Sequence, residues 1–203
     1  AKGYGIIANN DVSGTAGVIF VTDTVIKTTG KAASGVFVKD GGTVSLIGGT
    51  VAASGLDAAA LEINGSGTLN IEGTVLKSAQ GPTIFVTFSS AEEIANVTFG
   101  AGTVAVDNNG MLVNVARYEG GSDANMNITL KAGSEASGDI VDTDQKGSGQ
   151  THVNVEENAK FNGKISGIQD LKTESGTQMS FAEGTSIGGN IVATGSTYSF
   201  HST

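Results

Sequence analysis

Few residues in this chain could do chemistry. Its 203 residues include two histidines, His152 and His201, a single arginine, Arg117, and no cysteine. A Ser-His-Asp device needs a base held in place by a second group, and neither histidine has a local sequence that supplies one, so both read as solvated surface. Three acids fall close together at Asp139, Asp142 and Asp144. Paired carboxylates of a glycosidase or the ligands of a calcium ion would need such clustering, and the plainer reading is an acidic loop. Glu119 to Asp123 has the letters of one calcium-type Gly-Asp repeat, but a single copy is weak. Gly100-Ala-Gly102-Thr-Val-Ala105 matches a dinucleotide fingerprint in letters, yet a strand pattern follows it, so no helix N-terminus would receive a pyrophosphate. No catalytic set, cofactor or metal ligand is assigned.

Composition narrows the partners. The net charge is −9 and the isoelectric point near 4.5. Binding to nucleic acid depends on clustered basic residues that release counterions, and the ten lysines here are scattered. No apolar run approaches the roughly 20 residues of a membrane-spanning helix. Glycine is abundant, with 31 copies, proline occurs once and tryptophan never, which disfavours long amphipathic helices.

The element that would position everything else is a repeat. Ile128-Thr-Leu130-Lys-Ala-Gly133 pairs two alternating apolar residues with a residue that tolerates a left-handed backbone two or three positions on. Earlier copies are Val18/Phe20/Asp23, Val44/Leu46/Gly49, Leu69/Ile71/Gly73 and Val97/Phe99/Gly102, and later ones are Val153/Val155/Asn158 and Met179/Phe181/Gly184, separated by 25 to 31 residues. Within one repeat, short period-two strands alternate with turns, as in Gly35–Val38, Thr43–Leu46 and Gly49–Ala52. A second string, Ala136-x-Gly138-x-Ile140, returns at Phe161 to Ile165 and Ile187 to Ile191 with its middle glycine expected on the inward side. These spacings predict an all-β fold: a three-sided, right-handed parallel β-helix of about eight rungs of roughly 25 residues. The sequons at Asn96 and Asn127 fall on its core strands.

The Gly-Thr-Val and Gly-Thr-Leu turns at Gly49, Gly67, Gly73 and Gly102, with the Leu130 to Ile140 string, resemble the β-helical passenger region of bacterial autotransporters, the pertactin-like and self-associating adhesin group. The resemblance covers nearly the whole chain. It implies a non-enzymatic adhesin or rigid stalk on the bacterial surface, exported through the outer membrane, with a protein or glycan on another cell, or another copy of itself, as partner. Residues 1–203 are then expected to be one β-helix segment of a longer passenger. The alternative is a carbohydrate-active β-helix enzyme of the pectate-lyase kind, which needs a carboxylate cluster in a groove and depends on Asp142 or Asp144.

The corner between the first and second strands of each rung varies most. The step across it is six residues from Val38 to Val44 and from Ile63 to Leu69. It then grows to nine (Phe88 to Val97), thirteen (Val115 to Ile128 and Ile140 to Val153) and fourteen (Ile165 to Met179). Per-repeat insertions on one face of a solenoid often form its binding surface. The candidate contacts on this corner are Glu92, Glu93, Arg117, Tyr118, Glu119, Asp123, Asp142, Asp144, Lys146, Asp170, Lys172 and Glu174.

Overall fold

The structure, a computed structural model, describes residues 3–9, 16–107, 110–143 and 149–201. Among the described residues all strand pairs are parallel, and each strand pairs with its counterpart one turn of the chain away. The first face stacks Ile6–Ala8, Val36–Lys39, Leu61–Asn64, Ile84–Phe88, Met111–Arg117 and Asp139–Asp142. The second stacks Val18–Thr22, Thr43–Ile47, Gly67–Glu72, Ile94–Phe99, Asn125–Leu130 and Thr151–Val155. The third runs from Val25–Thr28 through Thr50–Ala53, Val75–Ser78, Val104–Asp107, Glu135–Ser137, Lys160–Gly163 and Gln178–Phe181 to Thr197–Phe200. Two long strands, Ile165–Thr173 and Ser186–Ala193, serve the first and second faces together. The fold is the expected parallel β-helix of eight rungs.

Alternation decides what is inside. With a period of two, every second side chain of a strand points into the coil, and parallel register places it on its counterpart one rung away. On the second face this gives the column Ile19, Val44, Leu69, Val97, Ile128, Val153, Leu171, Ile191. Its members from Val44 to Leu171 are buried. On the first face, Ala8, Val38, Ile63, Val86 and Val115 stack in the same way, and the next position in that column is Asp142. The corner after the second face takes a left-handed backbone in every rung, with φ between 48° and 74° at Asp23, Gly48, Gly73, Gly102, Gly133, Asn158, Gly176 and Gly195. Glycine, Asn and Asp exchange there because they reach positive φ at least cost.

Three details of the predicted register are corrected. In the first rung the inward residues are Ile19 and Val21, not Val18 and Phe20, which are 57% and 72% exposed. In the last two rungs the ladder slips a face. Met179 and Phe181 stack on Phe161 and Gly163 of the third face, and Tyr198 and Phe200 follow them there. The second-face copies are instead Leu171/Thr173 and Ile191/Ala193. The cause is a shorter rung, because Ile165–Thr173 turns from the first face to the second as one strand and leaves no corner loop. The expected fourteen-residue step from Ile165 to Met179 is therefore not a loop, and Ile187 to Ile191 is not a third copy of the Gly138 string.

Gly138 and Gly163 do stack, with φ of 119° and 156°. A Cβ on Gly163 would collide with the carbonyl of Gly138, whereas nothing lies within 4 Å of one on Gly3. Gly163→Val is expected to cost ~2 to 3 kcal/mol through this clash and the strained φ. Gly3→Ala should stay within ~0.5 kcal/mol. Thermal midpoints of the two variants check this, and equal midpoints would contradict the stacking.

Candidate functional site

Where the chain lengthens its first corner, it buries a charge. Arg117 closes the strand Met111–Arg117, on the same inward parity as Val113 and Val115, and Phe88 is its register partner in the preceding rung. The guanidinium carbon lies 5.1 Å from the Phe88 ring centre. Arg117 Nε donates to both carboxylate oxygens of Asp142, at 3.2 and 3.1 Å, and Nη2 donates to Oδ2 at 3.0 Å. Nη2 also donates to the Thr151 hydroxyl at 3.2 Å, and Thr151 donates in turn to Asp142 Oδ2 at 2.6 Å. Nη1 donates to the carbonyl of Ala124. The Arg117 and Asp142 side chains are 1% and 0% exposed.

This cluster ties three successive corners together. Phe88 comes from the fourth rung, Arg117 and Ala124 from the fifth, and Asp142 and Thr151 from the sixth. The loop backbones stack with it: Tyr118 N–H donates to Phe88 O at 2.9 Å, and Gly149 N–H to Ser122 O at 3.0 Å. The rim pair of glycines has no room for side chains, since a Cβ on Gly121 would strike the Phe88 backbone and one on Gly149 the Ala124 and Ser122 carbonyls. Guanidinium suits the site because it is planar and offers five donors, enough to meet a carboxylate, a carbonyl and a hydroxyl together.

The other expected contact residues divide sharply. Glu93 closes its own loop, accepting from Ser89 N–H at 2.6 Å and Ser90 N–H at 3.0 Å. Asp170 and Lys172 belong to the strand Ile165–Thr173 on the second face, not to a loop, and Glu174 follows that strand with its carboxylate 3.5 Å from Lys172 Nζ. Glu92, Tyr118, Glu119 and Asp123 are exposed on the long corner, with Glu119 opening a single turn of 3-10 helix, Glu119–Gly121. Asp144 and Lys146 lie outside the described residues. Arg117 and Asp142 were expected on the surface, and their burial removes them from it.

His152 has more company than its sequence suggested. Its Nδ1 lies 3.1 Å from Asp170, which also accepts from Asn190 N–H at 3.2 Å and Nδ2 at 3.3 Å. Asn96, Asn127, His152, Asp170 and Asn190 form one outward column on the second face, with Asn127 donating to Asn96 at 3.0 Å. The sequon asparagines thus face outward, although their strands build the core. His201 contacts the Ser180 hydroxyl at 2.8 Å. No group of three or more His, Cys, Asp or Glu side chains suited to a metal ion occurs among the described residues.

One ionisable group near the start of the coil is perturbed. Tyr4 stacks on Phe37 with ring centres 4.4 Å apart, and Glu62, buried and accepting from Ser34 at 2.5 Å, is next to Phe37 in the same column. Burial first, and the Glu62 carboxylate second, raise the Tyr4 hydroxyl above its ordinary pKa. Comparison of the chain with protein-family models, with characterised proteins and with solved structures gives no match.

Two outcomes are expected. Arg117→Met leaves Asp142 buried without its cation and should cost ~3 to 5 kcal/mol, while Arg117→Met with Asp142→Leu should recover most of that loss, read as urea unfolding midpoints. A raised tyrosine pKa means stability that is present below about pH 10 and lost as pH rises through the folded value. Alkaline absorbance titration should show a tyrosine phase above the ordinary range, and Tyr4→Phe should remove that phase.

Proposed function

We propose that this chain is a non-enzymatic surface β-helix of the autotransporter-passenger kind, an adhesin or rigid stalk, which meets a protein or glycan on another cell or a further copy of itself. One observation carries the reading: among the described residues, the groups singled out as able to do chemistry are engaged between rungs. Asp142, one of the two carboxylates a lyase-like site would depend on, is sealed against Arg117 and Thr151, and His152 is held by Asp170 in an outward ladder. Eight rungs at ~4.8 Å give a rod of roughly 35 to 40 Å, stiffened by continuous pairing. Export through a bacterial outer membrane belongs to the same proposal.

The long corner offers the contact surface, because Tyr118, which is 59% exposed, and Glu119 are presented on loops whose backbones are packed down onto the buried cluster. Exposed polar contacts are worth only ~0 to 1 kcal/mol each, so attachment needs many copies on one surface. Beads coated with the chain should attach to cell layers, or to each other, above uncoated beads. Attachment should fall as salt is raised from ~0.15 to ~1 M, where the screening length shortens from about 8 to 3 Å. Tyr118→Ser with Glu119→Gln should lower it without changing the unfolding midpoint. Release of unsaturated or reducing ends from acidic polysaccharides by the chain would overturn the non-enzymatic reading.

A further inference from the structure

Among the described residues, the lysines of this acidic chain are paired with two exceptions. Acids outnumber bases by 20 to 11. Lys31, Lys39, Lys131, Lys160, Lys164 and Lys172 each have a carboxylate oxygen within 2.6 to 4.0 Å. Among the described residues, Lys27 and Lys77 have none. They are not scattered: Lys27, Ala52 and Lys77 are register partners in three successive rungs of the third face, all pointing outward. Their α-carbons are therefore two rungs, roughly 9.6 Å, apart, with a methyl group between them.

Ala52 leaves an open hollow of about 290 Å³ between the two lysine stems, bordered by Thr29, Ser54 and Ala79. Parallel to it on the same face runs the outward column Val25, Thr50, Val75, Val104, in which Val25 and Val104 are 62% and 46% exposed. Two exposed lysines with no carboxylate partner, on either side of a methyl group, give this strip a local positive charge in an otherwise acidic chain. An anion seated over Ala52 can be met from both sides by flexible ammonium groups, which bind oxyanions as point charges.

We propose that this strip binds a sulfated glycan lying along the coil axis, with a sulfate between Lys27 and Lys77 and the apolar faces of its sugar rings on the valine column. A polymer fits better than a compact ion, because the strip is flat and open at both ends and pairs a charged row with an apolar one. The surrounding charge of the chain repels polyanions, so the ligand is confined to this strip. Affinity is weak for one strip, since the two ion pairs are solvent-exposed. This goes beyond the attachment reading: the strip lies on the third face of rungs one to four, whereas the long corner joins the first and second faces.

The test is an NMR titration of the isotope-labelled chain with a sulfated hexasaccharide, its desulfated counterpart and sodium sulfate in parallel. The expected result is shifts centred on Lys27, Ala52 and Lys77 with the sulfated sugar. Binding should weaken at least tenfold in Lys27→Gln/Lys77→Gln and change less than twofold in Lys131→Gln. Both variants replace exposed side chains, and their unchanged amide spectra away from the substituted sites confirm the fold. Shifts centred elsewhere, equal weakening in the control variant, or equal occupancy by the desulfated sugar or by sodium sulfate at matched sulfate concentration would each overturn the proposal. The titration reads binding by the isolated chain in solution, so its failure is distinct from a failure of bead attachment.

Discussion

Parallel pairing in register is the constraint on which the rest of this molecule depends. Once Val97 lies on Leu69 and Ile128 on Val97, the residue count between faces can change only at corners, because a one-residue slip within a strand would turn its whole apolar set outward. Rungs of different length therefore share one interior. The chain uses this freedom in both directions: it lengthens the first corner in rungs four to six and abolishes it in the last two, where a single strand bends from one face to the next.

A longer corner creates a volume that the neighbouring columns do not fill. Phe88 occupies it in the fourth rung, and the Arg117–Asp142 pair occupies it in the next two. Burying two charges is costly, and the attraction between them offsets that cost only when geometry and remaining hydrogen bonds are satisfied. Here the guanidinium has a carboxylate, a hydroxyl, a carbonyl and an aromatic face around it. The pair links the loops of consecutive rungs, giving the insertions an interior of their own. Surface residues such as Tyr118 and Glu119 then stand on an ordered base.

Much of this was legible before the structure, and the failures have physical causes. The turn ladder was readable because Gly, Asn and Asp reach positive φ most cheaply; with the apolar alternation this placed Asp23, Gly73, Gly102, Gly133 and Asn158, and in the second rung it named Gly49 one residue past the equivalent Gly48. Val18 and Phe20 misled because the first rung is apolar on both parities, so alternation did not choose between Val18/Phe20 and Ile19/Val21. Met179 and Phe181 misled because a shortened rung brought the third face to the spacing at which the second was due. The buried pair was missed by reading charge as surface, although the signal was present: Arg117 continues the inward alternation of Val113 and Val115, and Asp142 that of Ile140. The unpaired state of Lys27 and Lys77 had no sequence signal, since it depends on which acids lie across rungs.

The central claim is that the long corner is part of the coil, packed on the Arg117–Asp142 cluster, and not a loose appendage. Amide hydrogen exchange tests it residue by residue, because protection reports the free energy of local opening. The account predicts that the amides of Tyr118, Ala124 and Gly149, which donate to Phe88, Gly121 and Ser122, exchange about as slowly as those of Val113 and Ile128 in the strands. Exchange of these loop amides at the rate of an unstructured peptide, with the strands still protected, would contradict it.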